Sequence, residues 1–157
     1  MRWPTVVDLF SGCGGVTAAL RRRRFKVVAA VDNDPLAGKT YALNNKGVHL
    51  YSEDICKVAP EDIRTKQLNG ADLDLLVVCS PCQPFSNQNR NRGNDARADL
   101  ILQAPRFARI LKPKIIFFEN VPGLARPEVS DVLIKLRKKL KKIGYQLSEP
   151  DTIDLAD

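Results

Sequence analysis

Residues 72–86 read DLDLLVVCSPCQPFS, and this stretch decides the fold. Its apolar run at 75–78 predicts a buried strand, which the following Ser-Pro pair ends. Cys82 comes directly after that pair, and a second proline lies two residues beyond it. Prolines on both sides stiffen the backbone, and the carboxyl ends of strands are where open α/β sheets bind ligands. We therefore predict that Cys82 is a nucleophile at this edge of a sheet.

Composition and charge narrow the class of protein. The chain has 157 residues, of which 44% are hydrophobic and 27% charged, as in an ordinary globular protein. Its length predicts one domain that can bury a core. The net charge of +7 suits a polyanion such as nucleic acid, and solubility alone explains it equally well. No apolar run is long enough to span a membrane, and the first residues do not resemble a signal peptide. The sequence predicts an intracellular protein without a membrane partner, cytoplasmic in a prokaryote and nuclear in a eukaryote.

The cysteines do not form a convincing metal or redox motif. They are Cys13, Cys56, Cys79 and Cys82, and only the last two have close spacing. A zinc site would need two further ligands, and the chain has a single histidine, His49. A thioredoxin-like motif would open a helix, whereas Cys79 still belongs to a predicted strand. We expect no metal.

A glycine-rich turn follows the first strand. Residues 5–10 (TVVDLF) predict that strand, and SGCGG occupies 11–15. Val16, Ala19 and Leu20 then recur at helical spacing. Strand, glycine turn and helix together indicate a nucleotide-cofactor site, because glycine lets the backbone approach a ligand closely. The pattern is GxGG rather than GxGxxG, which counts against a dinucleotide.

An acid stands at the end of the second predicted strand, 26–31. This is Asp32, about 20 residues beyond the glycine turn, where a carboxylate can accept hydrogen bonds from ribose hydroxyls. Asp34 and Pro35 have the residue types of a helix N-cap and first helical position. They predict a helix that ends at Asn44.

The third predicted strand, 48–52, also ends in acidic residues. Asp54 and Ile55 follow it and can reach the same crevice, although an ordinary acidic turn explains them equally well. The connection at 57–71 is polar and has room for one helical turn at 61–66.

After the fourth predicted strand, 73–79, the sequence loses its periodicity. Residues 86–97 read SNQNRNRGNDAR, which predicts a long loop beside the thiol. Amides and arginines suit contacts with phosphates and base edges, and a merely disordered loop is the alternative. A helix over 100–111 follows, in which Pro105 predicts a kink or a displaced start.

A second charged residue follows the fifth predicted strand, 114–118. Glu119 emerges from this apolar strand beside the one that bears Cys82, and is therefore a candidate for acid–base chemistry. The apolar stripe from 129 to 143 predicts a last helix, which Gly144 ends. Residues 145–153 predict a sixth strand.

Four motifs in this order resemble those of the cytosine-5 DNA methyltransferase family. They are DLFSGCGG at 8–15, the acid at 32, PCQPFS at 81–86 and ENV at 119–121. The resemblance covers essentially the whole chain. It implies a Rossmann-like α/β fold with a doubly wound, mostly parallel sheet, S-adenosylmethionine as cofactor, double-stranded DNA as substrate, and a role in DNA methylation and restriction–modification.

The resemblance also implies roles for individual residues. Asp32 takes the place of the glutamate that the family usually has for the ribose. The residues implied in cofactor binding are Phe10, Gly12, Gly14, Gly15, Asp32, Asn33, Asp54, Ile55 and Pro81. Those implied in catalysis are Cys82, Gln83, Glu119, Asn120 and Val121. Those implied in a loop that closes over DNA are Ser86, Gln88, Arg90, Arg92 and Arg97.

The chemistry of cytosine methylation requires these residue types. Addition of the Cys82 thiolate to C6 makes C5 of the ring nucleophilic, and a protonated Glu119 at N3 would neutralise the charge that develops. A base within a duplex cannot reach such a site, so the target must flip out of the helix.

One departure from the family is large. The family continues beyond residue 157 with a glutamine–arginine–arginine motif and a target-recognition region. We therefore expect residues 1–157 to be a partial catalytic domain without a target-recognition domain, which needs a second polypeptide or a missing C-terminal segment. A catalytically silent binding fragment and an RNA (tRNA) cytosine-5 methyltransferase are the alternatives.

Overall fold

Five parallel strands form a single sheet in the computed structural model, which describes residues 2–82, 96–125 and 130–153. The strands are β1 (Thr5–Leu9), β2 (Lys26–Val31), β3 (His49–Tyr51), β4 (Leu75–Val78) and β5 (Ile115–Phe118). Their order across the sheet is β3-β2-β1-β4-β5. Along the sequence, β2 and β3 are added on one side of β1, and β4 and β5 are then added on the other side. This reversal places a topological switch point between β1 and β4. The predicted doubly wound parallel sheet is confirmed.

Four of the described helices lie between strands along the chain, and the fifth follows β5. They are α1 (Gly15–Arg22), α2 (Pro35–Asn44), the single turn α3 (Pro60–Asp62), α4 (Ala104–Leu111) and α5 (Ser130–Lys142). Shorter helical segments cover Ile63–Gln67, Ala96–Gln103 and Pro122–Ala125. By its internal contacts the chain divides into two compact units, one of Met1–Ser80 with Arg106–Glu119 and the other of Pro81–Pro105 with Asn120–Asp157.

The first unit contains the whole sheet, and its core is the centre of that sheet. In β1, Val6, Val7 and Leu9 are 0% exposed, and β2 and β4 pair with the backbone of this strand on its two edges. Helix α4 contributes Phe107 and Leu111, which are equally buried. A strand enclosed in this way reads as a continuous apolar run rather than an alternating one.

Local sequence signals explain where the helices begin. Asp34 caps α2, since its carboxylate accepts hydrogen bonds from the backbone N–H groups of Leu36 (2.8 Å) and Ala37 (3.0 Å). Pro35 occupies the first turn, as predicted. Pro105 likewise lies in the first turn of α4, so the proline displaces the start of this helix to Ala104.

The helix predicted after the glycine turn is present as α1, but the apolar residues that indicated it do not form its buried face. Val16 and Ala19 are exposed and Leu20 is half-buried, whereas Thr17 is fully buried. The hydroxyl of Thr17 has hydrogen-bond partners in the core, and for that reason a polar side chain takes the inward position.

Two further expectations are corrected. The connection at 57–71 is not only polar, because Val58, Ile63 and Leu68 are buried. The predicted sixth strand is wrong, since the described residues 145–153 form no strand. The guanidinium of Arg137 donates to the backbone carbonyls of Leu147 and Ser148, both at 3.3 Å, so a side chain supplies hydrogen bonds that a neighbouring strand would otherwise provide.

The second unit is organised around α5. Leu136 and Leu140 are each 1% exposed, and the helix packs against the segments Ala96–Gln103 and Pro122–Ala125. Gly144, at φ +89°, follows the helix as the predicted C-terminal glycine. In the described part of the chain, no helix has both the length and the apolar character needed to span a membrane.

The amino ends of three strands are joined by one carboxylate. Asp74 accepts hydrogen bonds from the Thr5 backbone N–H at 2.8 Å and the Thr5 hydroxyl at 3.0 Å. It also forms ion pairs with Lys114 (2.9 Å) and Arg2 (3.0 Å). The Lys114 ammonium and the Thr5 N–H hold the pKa of this carboxyl well below its usual range. Asp74 therefore joins the first residue of β1 to the residues that directly precede β4 and β5.

Substitution of Asp74 tests this fastening. Asp74→Asn should lower the free energy of unfolding by about 1–3 kcal/mol, because charge-assisted hydrogen bonds are lost at a side chain that is only 12% exposed. Chemical denaturation at neutral pH measures the change. Asp72→Asn is the matched control, since Asp72 pairs with Arg64 at a side chain that is 56% exposed, and should cost less than about 1 kcal/mol. Equal effects of the two substitutions would contradict the assigned role.

Candidate cofactor site and nucleophile

The turn after β1 is held against the end of β2. The backbone N–H groups of Phe10 and Ser11 donate to the carbonyl of Val31, at 2.8 and 3.1 Å. Phe10 and Gly12 both have positive φ, +63° and +52°, which turns the chain sharply at the carboxyl edge of the sheet. The predicted glycine turn therefore lies at the switch point of the sheet.

The three predicted glycines have different functions. A Cβ at Gly14 would lie 2.3 Å from Asn45 Nδ2 and 2.9 Å from Tyr41 Cδ2, so this glycine permits close packing between the start of α1 and the end of α2. A Cβ at Gly12 or Gly15 would meet no atom within 4 Å. Gly12 and Gly15 thus border open space where a ligand can approach the backbone, and Gly14 serves the packing of the helices.

Asp32 organises the loop that carries it. One carboxylate oxygen accepts the N–H of Gly12 at 2.7 Å and the other accepts the N–H of Asp34 at 2.9 Å. Each oxygen keeps acceptor capacity beyond that single bond, because a carboxylate oxygen has two lone pairs. The acid joins the glycine turn to the segment after β2, where Asn33 is exposed. This geometry is compatible with the predicted contact to ribose hydroxyls.

A buried polar chain lies beneath the glycine turn, and the sequence reasoning did not find it. The Thr17 hydroxyl donates to Asp8 Oδ2 at 2.7 Å and lies 2.9 Å from the Tyr41 hydroxyl. Asp8, Thr17 and Tyr41 are all 0% exposed. The signal that could have revealed it is Asp8 itself, an acid within the apolar strand TVVDLF, since a buried carboxyl requires partners.

Two polar atoms at this edge are left unsatisfied. Asp8 Oδ1 and Ser11 Oγ are buried and have no hydrogen-bond partner among the described residues. Orphaned acceptors next to an open glycine turn suit a polar ligand that brings hydrogen-bond donors. The ammonium and hydroxyl groups of S-adenosylmethionine are such donors, so the residues present fit the cofactor that the sequence predicts.

The segment after β3 has a defined turn. Asp54 accepts the N–H of Cys56 at 2.8 Å through its side chain, and its backbone carbonyl accepts the N–H of Lys57 at 2.8 Å. The hydrogen bond from Cys56 lowers the pKa of the Asp54 carboxyl. Ile55 is 4% exposed, so its side chain packs into the protein, whereas Asp54 is exposed.

The two cysteines after β4 differ in environment. Cys79 is half-buried, and burial, together with the neighbouring carboxylates of Asp8 and Glu119, raises the pKa of its thiol to about 12. Cys82 is exposed and belongs to the second unit. Neither cysteine is in a disulfide. Because Cys79 stays a thiol at neutral pH, only Cys82 of this pair suits a nucleophilic role.

The remaining predicted residues lie after β4 and β5. Pro81 is half-buried and directly precedes Cys82. Glu119 is exposed, and its backbone N–H donates to the carbonyl of Val78 at 3.1 Å, which extends the pairing of β4 with β5. Asn120 Oδ1 accepts the N–H of Val121 at 2.9 Å and so shapes the turn that follows.

The predicted DNA loop lies mostly outside the described residues. This applies to Gln83, Ser86, Gln88, Arg90 and Arg92. Arg97, expected in that loop, instead belongs to the helical segment Ala96–Gln103. Among residues 2–82, 96–125 and 130–153, no three His, Cys, Asp or Glu side chains are grouped as metal ligands.

A doubly wound parallel sheet, with a glycine turn after β1 and an acid after β2, is typical of nucleotide-binding α/β proteins, and the structural neighbours identify the class here as S-adenosylmethionine-dependent methyltransferases. Solved structures agree. A protein described as a DNA modification methyltransferase encoded within an Escherichia coli prophage superposes with a TM-score of 0.76 at 30% identity, over 88% of this chain and 38% of that one. A variant of Spodoptera frugiperda DNMT2 superposes with a TM-score of 0.63 at 28% identity, over 87% of this chain and 41% of that one.

The family model for the C-5 cytosine-specific DNA methylase matches residues 4–156. The chain therefore belongs to the C-5 cytosine-specific DNA methylase family, whose members use S-adenosylmethionine as methyl donor. The Type II methyltransferase M.DdeI of Desulfomicrobium norvegicum is 29% identical over 148 residues, 90% of this chain. The Type II methyltransferase M.PspPI of a Psychrobacter species is 33% identical over 148 residues, 94% of this chain. The chain spans 34% of the length of each of these two relatives.

The buried acid predicts an unusual dependence of stability on pH. Burial raises the pKa of Asp8 from 3.8 to about 6, the Asp32 carboxylate adds to the rise, and the Thr17 hydrogen bond opposes it. Between these two pH values the folded chain retains a proton that the unfolded chain releases. The protonated Asp8 carboxyl thus adds its full contribution to the free energy of unfolding below pH 4. This free energy falls by about 3 kcal/mol as pH rises through 6.

Denaturation of wild type and Asp8→Asn from pH 4 to 8 measures this contribution. As pH rises across that window, the free energy of unfolding of wild type should fall relative to that of Asp8→Asn. The difference between the two should become constant above about pH 7. Thr17→Val should move the change to higher pH, because it removes a bond that lowers the pKa. Parallel curves for wild type and Asp8→Asn would show that Asp8 does not titrate there.

Thiol alkylation tests the difference between Cys79 and Cys82. With a pKa of about 12, only about one Cys79 in ten thousand is a thiolate at pH 8, so iodoacetamide should leave it unmodified in the folded chain. Cys82 is exposed and should be alkylated. Peptide mass spectrometry reports both sites, and denaturant should make Cys79 reactive. Equal labelling of the two thiols without denaturant would contradict this difference.

Proposed function

We propose that the protein to which this chain belongs transfers a methyl group from S-adenosylmethionine to C5 of cytosine in double-stranded DNA. The observation that carries this proposal is the family match over residues 4–156 combined with an exposed Cys82 four residues beyond the end of β4. The names of M.DdeI and M.PspPI as Type II methyltransferases support DNA as substrate and restriction–modification as context. The net charge of +7 is favourable for binding a polyanion.

The chain's own residues supply the cofactor contacts in this proposal. Gly12 and Gly15 border the open side of the turn, and Asp32 offers carboxylate lone pairs to the ribose. Asp54 and Ile55 form the turn that receives the adenine. When bound, S-adenosylmethionine provides an electrophilic methyl group. The other assigned contacts are those of Phe10, Gly14, Asn33 and Pro81, of which Gly14 acts through helix packing.

Cys82 and Glu119 act on the cytosine ring. The Cys82 thiolate forms a bond to C6, and the electron pair of the C5–C6 double bond moves into the ring while a proton from Glu119 is placed at N3. With the cofactor bound, C5 would take its methyl group, which would leave S-adenosylhomocysteine, and the N3 proton would return to Glu119. Removal of the C5 proton by a base restores the double bond and breaks the bond between sulfur and C6, which releases Cys82. Gln83, Asn120 and Val121, which adjoin these two residues in the sequence, are assigned to catalysis with them.

The reaction needs a base outside the helical stack and residues that read the DNA. We assign the contact with the opened duplex to Ser86, Gln88, Arg90, Arg92 and Arg97. The matched relatives are about three times as long as the chain, since it spans 34% of each. Residues 1–157 are therefore proposed as a partial catalytic domain, to which the rest of a longer protein or a second polypeptide adds target recognition.

Trapping with 5-fluorocytosine in duplex DNA tests this function. Fluorine at C5 cannot leave as a proton does, so Cys82 should stay covalently attached to DNA when S-adenosylmethionine is present. The assay is run with the 157-residue chain alone and with candidate C-terminal partners, and we expect a gel-shifted band only with a partner. Cys82→Ala should abolish the band, and Cys79→Ala is the matched control that should retain it.

Each other outcome has a defined meaning. A band with the chain alone would overturn the requirement for further residues. A band with tRNA and none with DNA would favour the RNA substrate. Absence of any band, although cofactor binding is demonstrated separately, would favour the silent binding fragment over the enzyme.

A further inference from the structure

Arg106, in the first half of α4, reaches the segment that follows β3. Its Nη1 lies 2.7 Å from the carbonyl oxygen of Val58, and its Nη2 lies 2.5 Å from that of Ile55. A guanidinium presents planar, fixed donors, so it can hold two carbonyl groups at once, whereas a lysine ammonium is a single flexible point charge. The two bonds therefore fix the spacing of both ends of a four-residue turn.

The turn held in this way is the one assigned to adenine. Ile55 and Val58 are 4% and 2% exposed, so their side chains are anchored in the core. Between them the chain carries the N–H groups of Cys56 and Lys57, both bonded to Asp54. Arg106 thus binds the carbonyl groups of this turn, whereas Asp54 binds its N–H groups.

The base of the Arg106 side chain is itself rigid. Its neighbours on α4, Phe107 and Ala108, are 0% and 1% exposed. The guanidinium also lies 4.8 Å from the centre of the Phe107 ring, within the range of a cation–π contact. The helix is therefore a fixed support from which Arg106 can position a loop.

We propose that Arg106 is a positioning residue for cofactor recognition, which holds the Asp54–Val58 turn in the conformation that receives adenine. The proposal rests on the proposed function, since it assumes that this turn contacts the nucleotide. Arg106 touches neither cofactor nor substrate in this role. It acts through the carbonyl groups of Ile55 and Val58.

Calorimetric titration with S-adenosylhomocysteine, a stable analogue of the cofactor, tests the proposal on the full 157-residue chain. Arg106→Lys keeps the charge but loses the paired geometry, and should weaken binding by about tenfold, or about 1.4 kcal/mol. Arg106→Met loses both and should weaken it further. The preference for adenine over its hypoxanthine analogue should also fall in both variants. A general loss of stability would instead weaken the binding of the two ligands equally, so this comparison separates the two causes.

Arg64 provides the matched control. Its guanidinium donates to the carbonyl of Ile110 on α4 at 2.6 Å and to Asp72 at 2.9 Å, so it makes the same kind of contact with the same helix. Arg64→Lys should lower the thermal midpoint and leave the affinity for S-adenosylhomocysteine unchanged. Hydrogen exchange at Cys56 and Lys57 should accelerate in the Arg106 variants without ligand and not in Arg64→Lys.

The outcomes separate two kinds of failure. Wild-type chain that does not bind S-adenosylhomocysteine would overturn the cofactor assignment and this proposal with it. Wild-type binding with unchanged affinity and base preference in Arg106→Lys would overturn the role of Arg106 alone. Arg106→Lys decides the matter if Arg106→Met does not fold.

Discussion

The parallel pairing of β1 with β2 on one side and β4 on the other is the constraint on which the rest of the structure depends. It fixes the register of the two neighbouring strands around β1, in which Val6, Val7 and Leu9 are 0% exposed. Because all three strands run in the same direction, the turn after β1, Asp32 after β2 and Cys79 after β4 emerge at one edge. The hydrogen-bond ladder thus brings these segments to one edge, and long-range contacts such as that of the Asp32 carboxylate with the Gly12 N–H then fix their conformation.

Two aspartates, at the amino and carboxyl ends of the strands, have opposite electrostatic environments. Asp74, at the amino ends, is surrounded by Lys114, Arg2 and the N–H of Thr5, and the pKa of its carboxyl is lowered. Asp8, near the carboxyl ends, is more deeply buried and has no cation as partner, and its pKa rises to about 6. The Asp74 carboxylate is paired through both of its oxygens, and these charge-assisted bonds stabilise the fold. Asp8 keeps an unsatisfied carboxyl oxygen, which costs stability and leaves polar capacity for a ligand.

The sequence predicted the elements that depend on local patterns. The five strands, the N-cap at Asp34 and the C-terminal glycine at 144 required only apolar runs and short-range hydrogen bonding, and all are confirmed. What it missed depends on contacts between distant residues. The inward face of α1 is set by Thr17 because Asp8 and Tyr41 lie beneath it, and neither is near Thr17 in the helical pattern. The predicted strand at 145–153 had suitable residues, but this segment forms no strand, and the carbonyls of Leu147 and Ser148 are bonded to the Arg137 guanidinium instead.

The predictions for the candidate site were also correct where local sequence patterns decided and incomplete where contacts between distant residues decided. Motif spacing placed the glycine turn and Asp32 at one edge, and their geometry agrees with that prediction. Motif spacing could not separate the glycines, since Gly14 differs from Gly12 and Gly15 only in what a side chain would meet. Motif spacing assigned Cys82 alone as the nucleophile, and it could not show that burial beside carboxylates keeps Cys79 as a thiol.

Helix α4 connects the two edges of the sheet, and this explains why a residue outside every motif bears on the site. Near its end, the carbonyl of Ile110 receives Arg64, which is also paired with Asp72 just before β4. Near its beginning, Arg106 donates to Ile55 and Val58 beyond β3. The helix between these contacts is buried through Phe107 and Leu111, so it cannot shift without disturbing the core. Rigid packing of α4 is therefore what allows a guanidinium on the sheet's covering helix to define a turn at the sheet's functional edge.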